Sequence, residues 1–257
     1  RSIISQMISP KDDFELDNVK LIYLLSDKNN FKNFDDRIIK QDGYLDFNWL
    51  RSNLINYQRN YNIKSKINKI YKTHSVRTNY FTNKNVNLGF IYIVRDPRDV
   101  VISLAAHTGS NFDIAIDQLL NNFKLFTTAN YANELVSTWE NNIYSWLNYK
   151  DVSRLIIRYE DLLNETHKTI IEIKSFLKNI SNNLLISNDV NIENVIKNSS
   201  FNNLKKLEDK NGFSESSKHT NFFREGKAGQ WKYILSSNQI KKIESKLKKP
   251  MCLMNYL

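Results

Sequence analysis

The pattern of apolar and polar positions predicts a chain in which short strands alternate with helices. Apolar runs without polar alternation indicate strands at 67–71, 90–94 and 155–157. Such runs are typical of strands covered on both faces of a parallel sheet. Apolar residues at helical spacing predict helices over 1–9, from 97 onward, over 135–147, and at about 165–178, 191–198 and 237–247. Residues 10–62 are polar with scattered aromatics, and we expect short helices there. The alternation predicts an α/β fold with a parallel sheet flanked by helices.

The length of the chain fits one domain. Its 257 residues suffice for one large α/β domain and are too few for two comfortable ones. With only 3 Pro and 6 Gly, the sequence has no linker-like stretch. We therefore expect a single domain over 1–257.

Composition narrows the kinds of ligand. The net charge of +10 favours an anionic ligand. The single Cys252 excludes an internal disulfide framework and a cysteine-based zinc site. No metal-ligand spacing such as HExxH occurs, so we expect no metal. No run approaches the roughly 20 apolar residues of a membrane span, and we expect a cytoplasmic protein.

Three side chains with useful chemistry fall at the ends of three predicted strands, namely Arg95, His74 and Tyr159. Ligands of parallel sheets bind at those ends. Asp96 can cap the next helix, whose N-terminus attracts anions, and Ser103 lies on the same helical face as that cap. This arrangement predicts a phosphate site at Arg95. The alternative is an ion pair between Arg95 and Asp99, with Ser103 as a surface serine.

Two further segments carry candidate chemistry. In YKTHSV, His74 lies two residues after Lys72, and an imidazole that titrates near neutrality can act as a general base. In FFREGKAGQWK, basic side chains flank Gly226 and Gly229, whose backbone can approach an anion. The alternatives are a hydrogen-bonded structural histidine and a solvated basic turn.

Together these pieces resemble the cytosolic-type sulfotransferases that use 3′-phosphoadenosine-5′-phosphosulfate (PAPS). The matching segments are KTH at 72–74, YIVRDPRDVVIS at 92–103, RYEDL at 158–162, SSF at 199–201 and FFREGKAGQW at 222–231. They occur in the family's order, and the resemblance covers roughly residues 65–257. It implies the P-loop-NTPase-like sulfotransferase fold, with PAPS as sulfuryl donor, adenosine 3′,5′-bisphosphate (PAP) as product, and no metal.

The resemblance also implies residue roles. Arg95 and Ser103 would hold the 3′-phosphate, and Arg224 with the backbone at Glu225 and Gly226 would grip it from the other side. The adenine contacts would come from Tyr159, Ser199, Ser200 and Phe201. His74 would deprotonate the acceptor's hydroxyl or amine, and Lys72 would assist at the transferring group.

The sequence also departs from the family. We find no PKSGTTW-like loop, which in the family holds the phosphosulfate, and no preceding strand of the sheet. The chain begins with RSIISQM, which is similar to the helix that follows that loop. Two interpretations stay open: an N-terminally incomplete copy of an active enzyme, or a shortened pseudo-enzyme. In either case we expect this polypeptide to transfer sulfate inefficiently. Glu225 and Gln230 replace the family's usual lysine and aspartate.

The acceptor is not specified by the sequence. A small molecule, carbohydrate or lipid is expected, with residues 10–62 and a loop at 105–130 around it and Phe112, Phe123 and Phe126 as candidate walls. A homodimer is compatible with the family, and nucleic acid is not an expected partner. Two alternatives are a non-catalytic binder of 3′-phosphonucleotides or nucleic-acid ends, and a Golgi-type carbohydrate sulfotransferase.

Overall fold

The computed structural model describes residues 1–21, 23–24, 53–56, 58–60, 69–121, 123–125 and 134–257. Its strands are β1 (Tyr23–Leu24), β2 (Tyr71–Lys72), β3 (Gly89–Val94), β4 (Phe123–Leu125), β5 (Glu134–Ser137) and β6 (Ser153–Arg158). Its helices are α1 (Ser2–Ile8), α2 (Pro97–Thr108), α3 (Phe112–Leu120), α4 (Trp139–Leu147), α5 (Tyr159–Asn164), α6 (Thr166–Ser181), α7 (Ile192–Asn198), α8 (Phe201–Asn211), α9 (Trp231–Ile234) and α10 (Ser237–Leu253). A 3₁₀ helix covers Leu16–Leu21, and residues 53–56 and 58–60 are helical.

The predicted α/β class with parallel strands is confirmed. Strands β3 and β6 pair in parallel over their whole length, from Gly89 opposite Ser153 to Val94 opposite Arg158. A second parallel pair joins β1 to β2, and β4 pairs with β5 in antiparallel fashion. Because β3 and β6 end in register, the residues that follow them emerge side by side.

Helices pack against the β3–β6 pair, and the buried side chains form two apolar clusters. One cluster includes Val101, Ile116, Ile143 and Met251, which come from α2, α3, α4 and α10. The other includes Met7, Ile157, Ile170 and Ile173, from α1, β6 and α6. This packing fixes the strand ends where the candidate residues lie. In the part of the chain that the structure describes, no helix has the length and apolar character of a membrane span.

The predicted start of α2 is confirmed in detail. The Asp96 side chain accepts a hydrogen bond from the backbone N–H of Arg98 at 2.9 Å, and Pro97 is the first helical residue. The helix ends at Gly109, whose φ of 67° terminates it in the left-handed conformation.

Four sequence-based expectations about elements are corrected. Leu135 and Val136 lie in β5, so the helix predicted over 135–147 begins only at Trp139, after Thr138 caps it through the N–H of Asn141. The strand predicted at 67–71 is described only as the pair Tyr71–Lys72, and residues 67–68 lie outside the described part.

Strand β3 is not covered on both faces, since Ile93 is 55% exposed. The predicted loop at 105–130 contains the end of α2 and all of α3.

Candidate functional site

Arg95 is the centre of a group of contacts at the end of β3. Its Nη1 donates to the Oγ of Ser103 on α2 at 3.0 Å. Its Nη2 donates to the carbonyl of Lys227 at 2.9 Å, across 132 residues of sequence. Among the described residues no salt bridge joins Arg95 to Asp99, which disfavours the ion-pair alternative. Arg95 therefore connects the end of β3 to the glycine-containing segment 222–231.

Tyr159 reaches the same group through the strand register. Val94 and Arg158 are paired, so the next residues on each strand, Arg95 and Tyr159, are neighbours. The Arg95 guanidinium lies 4.5 Å from the centroid of the Tyr159 ring, a cation–π distance. Burial raises the pKa of the Tyr159 hydroxyl, opposed by the charge of Arg95. The phenol is therefore neutral at physiological pH and can donate a hydrogen bond.

Asp99 holds segment 222–231 in place, a role that sequence reasoning missed. It is only 1% exposed, and its two oxygens accept hydrogen bonds from the backbone N–H groups of Gly229 at 2.6 Å and Trp231 at 3.1 Å. Hydrogen bonds from two backbone amides to a carboxylate are charge-assisted and are therefore stronger than bonds between neutral groups. Asp99 therefore fixes the segment against the start of α2.

Gly226 makes a left-handed turn of that segment against an aromatic ring. Its φ is 62°, and a Cβ placed on it would lie 2.3 Å from the Phe201 ring. Only glycine fits such a position. Arg224 Nη2 donates to Gln230 Oε1 at 3.4 Å, and the Glu225 carboxylate lies 3.9 Å from Arg224 Nη1. The structure thus brings Phe201, Arg224, Glu225 and Gly226 together.

The two serines before Phe201 differ in what they contact. Ser200 caps α8, where its Oγ accepts from the N–H of Asn203 and donates to the carbonyl of Lys197. The Ser199 hydroxyl is buried, and among the described residues it has no hydrogen-bond partner. The hydroxyl of Ser200 is therefore used in capping α8, while the hydroxyl of Ser199 remains available for a ligand. We call Arg95, Ser103, Tyr159, Arg224 and segment 225–229 the phosphate clamp, after the ligand that the sequence predicts for them.

His74 follows β2 by two residues, and its backbone is anchored by α4. Asn142 Nδ2 donates to the His74 carbonyl at 3.0 Å, and Trp146 Nε1 donates to the carbonyl of Ser75 at 3.0 Å. Asn142 also accepts from the Tyr92 hydroxyl at 2.9 Å, so it joins β3 to this turn. The anchoring role of Asn142 left no recognisable signal in the sequence.

The environment of His74 lowers its pKa from 6.5 to about 4, through burial first and then through the positive charges of Lys72, His107 and Arg1. By its solvent-accessible surface His74 is nevertheless an exposed residue, and it lines the wall of a cavity. At neutral pH the imidazole is therefore unprotonated and can accept a proton.

Lys72 carries a partner that the sequence did not suggest. Its Nζ lies 2.6 Å from Glu215 Oε2, in a pair whose side chains are 22% and 16% exposed. The Arg1 guanidinium contacts the other oxygen of the same carboxylate. Glu215 lies in the turn after α8, far along the chain from Lys72.

A cavity of about 710 Å³ connects the two groups, since Arg95, Lys72 and His74 all line it. Much of its remaining wall is apolar, including Phe81, Phe90, Tyr92, Trp139 and Trp146. Of the candidate walls, Phe112 instead packs against the core. The side chain of Phe123 and all of Phe126 lie outside the described part. Within the described residues, no three His, Cys, Asp or Glu side chains are grouped as a metal would need.

Comparison with known proteins identifies the family of the chain. A family model described as "Sulfotransferase domain" matches residues 16–254. An amine sulfotransferase of Oryctolagus cuniculus is 26% identical over 171 residues, which are 63% of this chain and 54% of that relative. The chain thus aligns with about half of that curated relative's length.

Two solved structures show the same fold. Retinol dehydratase in complex with retinol and PAP is 20% identical, with a TM-score of 0.58, over 97% of this chain and 76% of that one. Retinol dehydratase with androsterone and inactive cofactor PAP gives 19% identity and a TM-score of 0.57, over the same shares.

Proposed function

Since the chain belongs to the sulfotransferase domain family, we propose that it moves a sulfuryl group from PAPS to a hydroxyl or amine of a small acceptor. The observation that carries the proposal is the phosphate clamp, in which Arg95 joins Ser103 to the segment 222–231. The neighbours of this fold in complex with PAP support the choice of nucleotide.

The clamp has the chemistry that a nucleotide 3′-phosphate requires. Arg95 Nε is buried, and within the described part of the chain it has no hydrogen-bond partner, so one donor remains for a ligand. The left-handed turn at Gly226 lets the backbone approach an anion, and the N-terminus of α2 adds a positive field. Arg224 would approach the same anion from the other side. Tyr159, Phe201 and the free hydroxyl of Ser199 would then face the adenine.

The other end of the cavity suits the acceptor. PAPS, when bound, supplies the sulfuryl group, and PAP is the product. His74, unprotonated because of its lowered pKa, would take the proton of the acceptor as the new S–O or S–N bond forms and the bond from sulfur to the 5′-phosphate oxygen breaks. Lys72 would neutralise charge on the transferring oxygens, the kind of positioned electrostatic support that dominates such transfers. The approach of an anion would also raise the pKa of His74, which makes it a better proton acceptor.

The apolar wall of the cavity favours an acceptor with an aromatic or aliphatic body. Phe81, Trp139 and Trp146 would surround that body, while His74 would meet its one reactive polar group. This division matches the usual composition of small-molecule sites, in which few polar groups set orientation.

Calorimetric titration with PAP tests the proposal. We expect the substitution Arg95→Ala to weaken PAP binding about 100-fold, since charge-assisted hydrogen bonds contribute about 1.5–3 kcal/mol each. The matched control is Arg154→Ala, an exposed arginine on β6, which should leave affinity unchanged. Thermal unfolding of each variant checks that it is folded. Equal PAP affinity in the wild type and in Arg95→Ala would refute the phosphate assignment.

A further inference from the structure

A carboxylate occupies the position beside Lys72 where the reacting end of a donor would bring its own negative charge. Glu215 Oε2 lies 2.6 Å from Lys72 Nζ, and Arg1 contacts Oε1. Both members of the Lys72–Glu215 pair are mostly shielded from water, at 22% and 16% exposure. Such a pair is held more tightly than a fully exposed one, whose net contribution is small.

The turn that carries Glu215 is itself fastened to α8 by a second carboxylate. Glu208, 4% exposed, accepts from the backbone N–H groups of Phe222 at 2.6 Å and Phe223 at 2.8 Å, and from the Ser216 hydroxyl. The rings of Phe213, Phe222 and Phe223 pack against one another, with Phe222 edge-on to both of the others. The segment 213–223 is therefore a structured bridge, and a displacement of Glu215 requires this bridge to adjust.

The bridge ends directly at the phosphate clamp. Phe223 is followed by Arg224, and the clamp begins there. At its middle, the His219 ring packs against Gly109, the residue that caps the C-terminus of α2, where a Cβ would come within 2.7 Å of that ring. The segment 213–223 thus contacts the C-terminal end of α2, leads directly into Arg224 and holds a carboxylate against Lys72.

We propose that Glu215 is a displaceable internal anion, which occupies the ligand position at Lys72 and competes with the 5′-phosphate end of the bound nucleotide. This inference rests on the proposed function, since it takes Lys72 to face that end. Each binding event replaces the Glu215 carboxylate with the phosphate of the ligand, and each release allows Glu215 to return. Glu215 thereby lowers the affinity only for those ligands that carry a 5′-phosphate.

The size of the effect follows from population arithmetic. When a protein is competent to bind for only one-tenth of the time, its apparent affinity falls about tenfold. Removing the charge of Glu215 removes that penalty. We therefore expect Glu215→Gln to bind PAP about tenfold more tightly. Adenosine 3′-monophosphate, which lacks the 5′-phosphate, should bind the variant and the wild type equally.

The experiment is calorimetry with these two nucleotides on the wild type, Glu215→Gln and Glu215→Asp. The aspartate keeps the charge but shortens the reach to Lys72, so it should give a smaller gain for PAP. Glu193→Gln, an exposed carboxylate on α7 with 76% side-chain exposure, is the control for the same change in net charge. It should alter neither affinity.

The outcomes separate the two proposals. Tighter binding of PAP alone by Glu215→Gln supports the internal anion. Unchanged or weaker PAP binding overturns it, as does an equal gain for both nucleotides, which would reflect net charge. If the wild type binds PAP no better than Arg95→Ala does, the proposed function fails and this inference fails with it.

Discussion

The phosphate clamp and the His74 end of the cavity are built in different ways. In the clamp, every main contact is a direct hydrogen bond or ring contact between side chains and backbone, such as Arg95 with Ser103 and Asp99 with Gly229. At the other end, His74 is positioned through its backbone by Asn142, and burial followed by neighbouring positive charge lowers the pKa of its side chain. The clamp is thus held by direct contacts among its own residues, whereas at the His74 end the cation Lys72 is paired with Glu215.

The largest effect should come from removing the side chain at the His74 end. We expect His74→Ala to lower the rate of sulfuryl transfer by about 100- to 10,000-fold, the usual loss of a general base. Its affinity for PAP should stay within about twofold of the wild type, since the clamp is untouched. A transfer assay with labelled PAPS and calorimetry with PAP give the two values.

The control for this change is His167→Ala, because His167 is exposed on α6 with 59% side-chain exposure. Its transfer rate should equal that of the wild type. An unchanged rate of sulfuryl transfer in His74→Ala would contradict the role of His74 as the general base.

A smaller effect, confined to the clamp, is expected from Asp99→Ala. This variant leaves the N–H groups of Gly229 and Trp231 without their acceptor. We expect a loss of about 1–3 kcal/mol in the free energy of unfolding, with weaker binding of PAP. The pKa of His74 should not change. Asp113→Asn, an exposed position on α3, is the control, and equal stability of both variants would contradict the assigned role of Asp99.

The smallest effect concerns the titration of His74. Because Lys72 is one of the charges that lower the pKa of His74 to about 4, Lys72→Met should raise that pKa toward 6.5. Since the pKa is lower in the folded protein, His74 stabilises the fold above about pH 6.5, and this contribution is lost as the pH falls toward 4. NMR titration of the imidazole protons, assigned with His74→Gln, measures the change. A lower pKa in Lys72→Met would show that the assigned cause is wrong.

The sequence predicted best those features that depend on neighbouring residues. The apolar run before Arg95 and the Asp96–Pro97 helix start are local signals, and both appear in the structure. The start of α4 was misplaced because Leu135 and Val136 fit the helical period of Trp139. The real boundary is marked by Thr138, whose side chain caps the N–H of Asn141. A hydrophobic period alone cannot locate the end of a helix when the adjoining strand is also apolar.

The sequence predicted only those site residues that follow a strand or belong to a family motif. Arg95 and Tyr159 could be placed side by side because residues after parallel strands share one edge of the sheet. The partners Asp99–Gly229 and Lys72–Glu215 are separated by 130 and 143 residues. A carboxylate that serves a group so distant has no local pattern in the sequence.

One contact near the end of the chain has a consequence for how mutational scans should be interpreted. Buried Arg98 donates to the carbonyl of Tyr256 at 3.0 Å, and the Tyr256 hydroxyl donates to Glu160, which accepts from the N–H of Asp96. The residues on either side of the α2 start thus share a scaffold with a tyrosine 158 positions away from Arg98. Substitutions at Tyr256 should therefore group in their effects with those at the end of β3.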